Sequence, residues 1–272
     1  MIIALYFIIF VMGTFFGTFS AQAIYSIPLK KNIAKERAFC PKCKHQLSFF
    51  DSIPVFSYIL LRGKCRYCGK KIENNFIVEL LMGLTSVGIF ISLNVTIENM
   101  SILTLIEYLY LMIFVTTLVI IAGIDKKNKR IYKPIIFLGC VVACAYIIFL
   151  YMRQSIGIFS IYKYVIYFIV ICMLSAITSK YRYFKYSYLL EIMMICIYIN
   201  MFIVSELFLI TAVITMISLI ISIIIKKYKL KVDNSDILAE KEINLDIPIG
   251  MYLCISNIIA MLIQGIEIFN II

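Results

Sequence analysis

The feature that most constrains this chain is a succession of apolar runs that fills it almost end to end. They can be drawn at residues 2–24, 76–93, 102–124, 135–151, 156–178, 188–204, 207–225 and 247–269. Each comes near the ~17–25 residues that a helix needs to cross roughly 30 Å of hydrocarbon. A water-soluble globule is excluded, because 63% of the residues are hydrophobic and most of the surface would lack a polar face. Inside a bilayer every backbone polar group must be satisfied internally, so runs of this length are read as helices. The predicted fold class is an all-α polytopic membrane protein with about eight transmembrane helices. The lipid bilayer is therefore one of its partners.

Charge tests this reading independently. The formal net charge is +11, which would suit nucleic acid only if the basic residues formed one patch or stripe. They fall instead between apolar runs, at positions 30–71, 126–133, 180–185 and 226–241, and skip every second loop. The intervening loops are nearly bare, with Arg153 and the nearby Lys163 as exceptions. Lys and Arg accumulate in cytoplasmic loops, so the pattern predicts basic cytoplasmic loops, both termini outside, and no nucleic-acid partner. The first apolar run lacks a preceding basic segment, which favours a retained helix over a cleaved signal peptide.

The polar insert between the first two runs divides the chain into residues 1–24 (first helix), 25–75 (cytoplasmic loop) and 76–272 (seven-helix membrane domain). Of nine cysteines, Cys140, Cys144, Cys172, Cys196 and Cys254 lie in apolar runs, where cysteine acts as a small hydrophobe. The other four form two Cys-x-x-Cys pairs, Cys40/Cys43 and Cys65/Cys68. Two such pairs bring four thiolates to one tetrahedral ion, leaving no open position for catalysis. The predicted centre is structural Zn2+ in a zinc-ribbon-like loop, and a redox-active Cys-x-x-Cys is the competing reading. A loop of this size has too small a core to fold without such a staple. His45, the only histidine, is read as a surface side chain.

Several motifs follow one another here: Phe39-Cys40-Pro41-Lys42-Cys43, then Phe50-Asp51-Ser52-Ile53-Pro54, then Arg62-Gly63-Lys64-Cys65-Arg66-Tyr67-Cys68-Gly69, then Val78-Glu79-Leu80-Leu81. In this order and spacing they resemble the prepilin peptidases, bifunctional aspartic endopeptidases and N-methyltransferases of type IV pilus, secretion and competence systems. Ile247-Pro248-Ile249-Gly250 resembles the family's motif before its last helix. The resemblance implies a multi-pass protein of the bacterial cytoplasmic (inner) membrane. It would cleave the leader of prepilin or pseudopilin substrates and methylate the new amino terminus with S-adenosylmethionine. The family assigns methyl transfer to the zinc loop, including the residues matched by Gly63 and Lys64.

The aspartic chemistry needs two carboxyl groups sharing a proton. Asp125, in Gly123-Ile124-Asp125, matches the family's first catalytic aspartate; from the residues alone it is equally an ordinary juxtamembrane charge beside Lys126 and Lys127. The second should stand in Gly-x-Gly-Asp, but residues 181–191 contain neither Gly nor Asp, and Ser187 or Leu189 occupies the place. Glu191 is the nearest carboxylate and the candidate substitute, although the pitch of a helix turns it to another face. Asp246 is a further cytoplasmic-edge acid without a catalytic counterpart. Glu79 is expected to contact the zinc module, and Glu107 has no assigned role. Two other readings stay open: a protease-inactive paralogue that binds or only methylates prepilins, and a small proton-coupled transporter using Asp125 and Glu191.

Overall fold

The computed structural model describes residues 2–30, 43, 45–46, 58, 60–70, 75–93, 95, 100–128, 132–153, 162, 217, 221, 250–252, 254–259 and 261–262. Four helices stand out among them: α1 (Ile2–Ser26), α2 (Asn75–Ser92), α3 (Ile102–Asn128) and α4 (Lys133–Met152). They coincide, within a few residues, with the first four apolar runs. α1 and α3 are long and apolar enough to cross a membrane, whereas the apolar stretches of α2 and α4 are shorter. A further apolar helix covers Gly250–Ile259. The runs at 156–178, 188–204 and 207–225 lie essentially outside the described residues, so the count of eight is neither met nor refuted.

Local chemistry sets the helix ends. α1 overruns its expected end at Ile24 and stops at Ser26, just before Pro28, whose ring cannot continue a helix. α3 begins where Ser101 and Thr104 cap each other: the Thr104 N–H donates to Ser101 Oγ at 3.2 Å, and the Ser101 N–H donates to Thr104 Oγ1 at 3.0 Å. This is the reciprocal arrangement of a capping box, with Thr in place of the usual Glu. Lys126 and Lys127 sit in the last turn of α3, where cations complement the negative end of the helix dipole. Pro134 stands in the first turn of α4, where a missing N–H is harmless.

The chain divides into two compact units, one of Met1–Gly123 with Met261–Ile272, the other Ile124–Ala260. In the first, α1 packs against α2 through small residues. A Cβ added to Gly13 would run into Ser86 Cβ and lie 2.7 Å from the Met82 carbonyl oxygen. One added to Gly17 would lie 2.6 Å from Glu79 Cα. Gly13 and Gly17 are four residues apart on one face of α1, with buried Ala21 one turn on, the small-xxx-small pattern of close membrane helix pairs.

Close approach permits a polar link across three helices. Ser86 Oγ donates to the Ile9 carbonyl at 2.8 Å and lies 2.7 Å from the Tyr108 hydroxyl. Since the serine has one proton, Tyr108 is the donor in the second bond. Phe90 sits between two tyrosines in edge-to-face contact, with ring centroids 6.1 Å from Tyr6 and 5.9 Å from Tyr108, a favoured aromatic geometry. Met82, Ile89, Leu111, Met112, Phe114 and Leu118 are also buried in this unit. By contrast, Ile3, Phe7, Ile8, Phe15 and Phe19 of α1 are exposed, Ile3 to 85%. A row of large exposed apolar side chains on a long apolar helix is what a lipid-facing surface requires.

Candidate metal centre and carboxylate site

The structure brings three of the four predicted zinc ligands together. The Sγ atoms of Cys43, Cys65 and Cys68 all lie within 4.8 Å of one another, and Cys43 and Cys65 are 4.0 Å apart. Zn–S bonds of about 2.3 Å in a tetrahedron require S···S edges of about 3.8 Å, so the donor set fits zinc. Cys40 lies outside the described residues. Cys65 is buried and Cys43 exposed, so the group straddles the surface of the loop.

The second Cys-x-x-Cys pair is shaped by its own backbone. The Gly69 N–H donates to the Cys65 carbonyl and the Cys65 N–H to the Lys70 carbonyl, each at 2.9 Å. Closing so tight a turn needs a left-handed residue, and Gly69 supplies it with φ +66°. His45 is exposed and lies against Tyr67, with ring centroids 3.7 Å apart and the rings tilted by 37°, in keeping with its reading as a surface side chain.

Gly63 and Lys64 occupy a second tight turn immediately before Cys65. The Gly63 N–H donates to the Tyr58 carbonyl at 2.9 Å and the Lys64 N–H to the Leu61 carbonyl at 3.0 Å. Gly63 has φ +71°, and a Cβ there would lie 2.8 Å from the Tyr58 ring. Tyr58 in turn stacks on Phe76, near the start of α2, at 4.5 Å and 18°. Glycine is thus required twice over, by conformation and by the approach of the ring that docks this loop on α2.

Glu79 is buried, and its Oε1 accepts a hydrogen bond from the Thr18 hydroxyl of α1 at 3.1 Å. A carboxyl group this deep in apolar sequence needs such a partner. Among the described residues, the printed contact of Glu79 is with α1 beside Gly17. Glu107 is half-buried in the second turn of α3.

Asp125 belongs to the second unit and is fully buried, at 0% exposure. Its Oδ2 accepts the backbone N–H of Met251 at 3.1 Å, and the Gly250 amide also donates to the carboxylate. These amides open the helix Gly250–Ile259, where N–H groups have no partner within their own helix. The positive end of that helix therefore holds the carboxylate. Asp125 is thus held at Oδ2, while Oδ1 is buried and has no hydrogen-bond partner among the described residues, nor has the side chain of buried Asn257. Glu191, Asp246, Ser187 and Leu189 lie outside the described residues.

The contact between Asp125 and the residues after Ile247-Pro248-Ile249-Gly250 has a partial signal in the sequence: proline just ahead of an apolar run marks a helix start, and a helix start offers free amides to an acid. The Gly13/Gly17 stripe was equally visible as spacing. The Tyr58–Gly63 contact carried no such signal.

Residues 11–93 match the family described as the bacterial peptidase A24 N-terminal domain. This segment contains α2, most of α1 and the cysteine centre; Asp125 lies beyond it. A prepilin leader peptidase/N-methyltransferase of Vibrio cholerae serotype O1 is 44% identical over 85 residues, 28% of this chain and 34% of that protein. One from Myxococcus xanthus is 40% identical over 77 residues, 28% of this chain and 23% of that protein. One from Dichelobacter nodosus is 27% identical over 130 residues, 46% of this chain and 42% of that protein. The matches therefore span less than half of each relative's length. No solved structure matches the chain.

Proposed function

From the match of residues 11–93 to the bacterial peptidase A24 N-terminal domain, we propose that the chain is a prepilin-peptidase-like protein of the bacterial cytoplasmic membrane. It cleaves the leader of prepilin or pseudopilin substrates and methylates the new amino terminus. The observation that carries this reading is the cysteine centre. Three thiols spaced for zinc stand in the segment that matches the family, with a fourth, Cys40, at the right place in sequence.

In this reading Cys40, Cys43, Cys65 and Cys68 hold a Zn2+ that closes the loop and activates no water, because four thiolates fill its coordination. The closed loop presents Gly63 and Lys64 for methyl transfer, with S-adenosylmethionine supplying the methyl group. Asp125 provides one carboxyl group of the proteolytic pair. Its Oδ2 accepts the amide at the head of Gly250–Ile259, which orients the group. Glu191 is the proposed second carboxyl group.

The second reading rests on one observation: residues 181–191 hold no aspartate and no glycine. A chain without a working second acid would bind prepilins, or methylate them, without cutting. Purified protein incubated with its cognate prepilin separates the two. Cleavage abolished by Asp125→Ala and by Glu191→Ala supports the proposed pair, and cleavage lost in Asp125→Ala alone assigns a different second acid. Methylation of pre-cleaved pilin without any cleavage of prepilin favours the inactive-protease reading. Neither reaction, with proton-coupled transport in vesicles, overturns both.

A further inference from the structure

The turn ahead of the cysteine centre is exposed, basic and apolar at once, and neither leader cleavage nor zinc binding explains the combination. Within residues 60–70 the charged side chains are Arg62, Lys64, Arg66 and Lys70, with no acid among them. All four are exposed. A zinc ion with four thiolates carries a net charge of about −2, so the loop stays positive when the centre is closed. In the same stretch Leu60 is 66% exposed and Tyr67 is 47% exposed.

The docking contacts place Leu60 at a particular depth. Tyr58 stacks on Phe76, the second residue of α2. With 18 residues, α2 is about 27 Å long, close to the thickness of the hydrocarbon layer, so its first turn stands at the membrane edge. Leu60 is two residues from Tyr58 and so within about 7 Å of it along the chain. The turn is also fixed rather than free. Arg62 adopts φ +52°, an uncommon conformation for a residue with a side chain, between the two hydrogen bonds that close the turn.

We propose that the Leu60–Lys70 turn is a membrane-surface anchor, which inserts Leu60 at the headgroup boundary while Arg62 and Lys70 bind anionic phospholipid headgroups. Exposed apolar and basic side chains side by side are the recognition chemistry of an anionic lipid surface. Fixing the loop against that surface holds the zinc module at a constant height over the helix on which it is docked. The proposal does not depend on the assigned enzymatic function.

The chain contains no tryptophan, so Leu60→Trp introduces a single fluorescent reporter at an exposed position. The full-length variant is reconstituted into phosphatidylcholine vesicles with and without phosphatidylglycerol, using lipids brominated on the acyl chains as quenchers. Strong quenching is expected with phosphatidylglycerol, weaker quenching without it, and a decrease at about 1 M salt, where the Debye length falls to about 3 Å. Each cation near an anionic surface favours the seated loop by about fivefold. Adding Arg62→Gln and Lys70→Gln should therefore shift the seated-to-lifted ratio by about 25-fold. Quenching that ignores lipid charge, or survives the double substitution, overturns the proposal. A reporter shielded from water but not quenched by brominated chains means that protein covers Leu60, and overturns it as well. Metal content measured on each variant confirms that the module is closed while the readings are taken.

Discussion

Replacing Gly17 by alanine tests the α1–α2 interface by the sign of its effect. In a helix free of neighbours, Gly→Ala stabilises by about 1 kcal/mol. Here the new Cβ would stand 2.6 Å from Glu79 Cα, 3.1 Å from Met82 Cβ and 3.2 Å from the Val78 carbonyl oxygen. Two of these are backbone atoms that cannot rotate aside. Carbon atoms need about 3.5 Å or more, so the helices must part by roughly 1 Å. Overpacking of this kind costs about 1–3 kcal/mol. A 1 Å separation also stretches the 2.8 Å bond from Ser86 Oγ to the Ile9 carbonyl beyond hydrogen-bonding range. Interhelical hydrogen bonds in membranes average about 0.6 kcal/mol. With the propensity gain subtracted, the net expectation is a loss of about 0.5–2.5 kcal/mol. Titration of purified protein from mild detergent into dodecyl sulfate, followed by helical circular dichroism, measures it. Gly83→Ala is the companion variant: its Cβ would meet the Phe10 ring at 2.6 Å, and a ring can swing away. Its loss should be smaller. A Gly17→Ala protein as stable as wild type, or more so, would falsify the close packing described here.

Cys65→Ser should reduce bound zinc from about one ion per chain to none, while Cys144→Ser, an exposed thiol on α4, leaves it unchanged; elemental analysis of purified protein decides. Ser86→Ala should destabilise by about 1 kcal/mol, because it removes partners from both Tyr108 and Ile9. Combining it with Tyr108→Phe should add less than the sum of the single effects, a non-additivity that the same unfolding titration reads. Gly63→Ala should lose zinc to a chelator faster than Gly69→Ala. Both residues have positive φ, which costs a side chain about 1–2 kcal/mol, but only Gly63 also faces a ring, whereas no atom lies within 4 Å of a Cβ on Gly69. Equal release rates would refute the docking role of the Tyr58 contact.

Along the chain, what could be read in advance was whatever depends on local pattern. The four described long helices fall on apolar runs, because hydrocarbon length and backbone satisfaction act on consecutive residues. The cysteine cluster was legible for the same reason: a Cys-x-x-Cys pair folds into a knuckle by its own turn, and Gly69 supplies that turn's left-handed residue. Asp125 was identifiable as an acid at a helix end, and Gly63 as a glycine in a motif. What either one touches was not.

Those contacts belong to tertiary structure, because they join residues far apart in sequence through surfaces that only packing brings together. The amide of Met251 reaches Asp125 across 126 positions, and the Ser86 hydroxyl reaches Ile9 across 77. Glu79 illustrates the division most clearly. The sequence alone determined that a carboxyl group in an apolar run must find a partner, since an unpaired charge there is too costly. Only the close approach of α1 at Gly17 decided that Thr18 is one such partner.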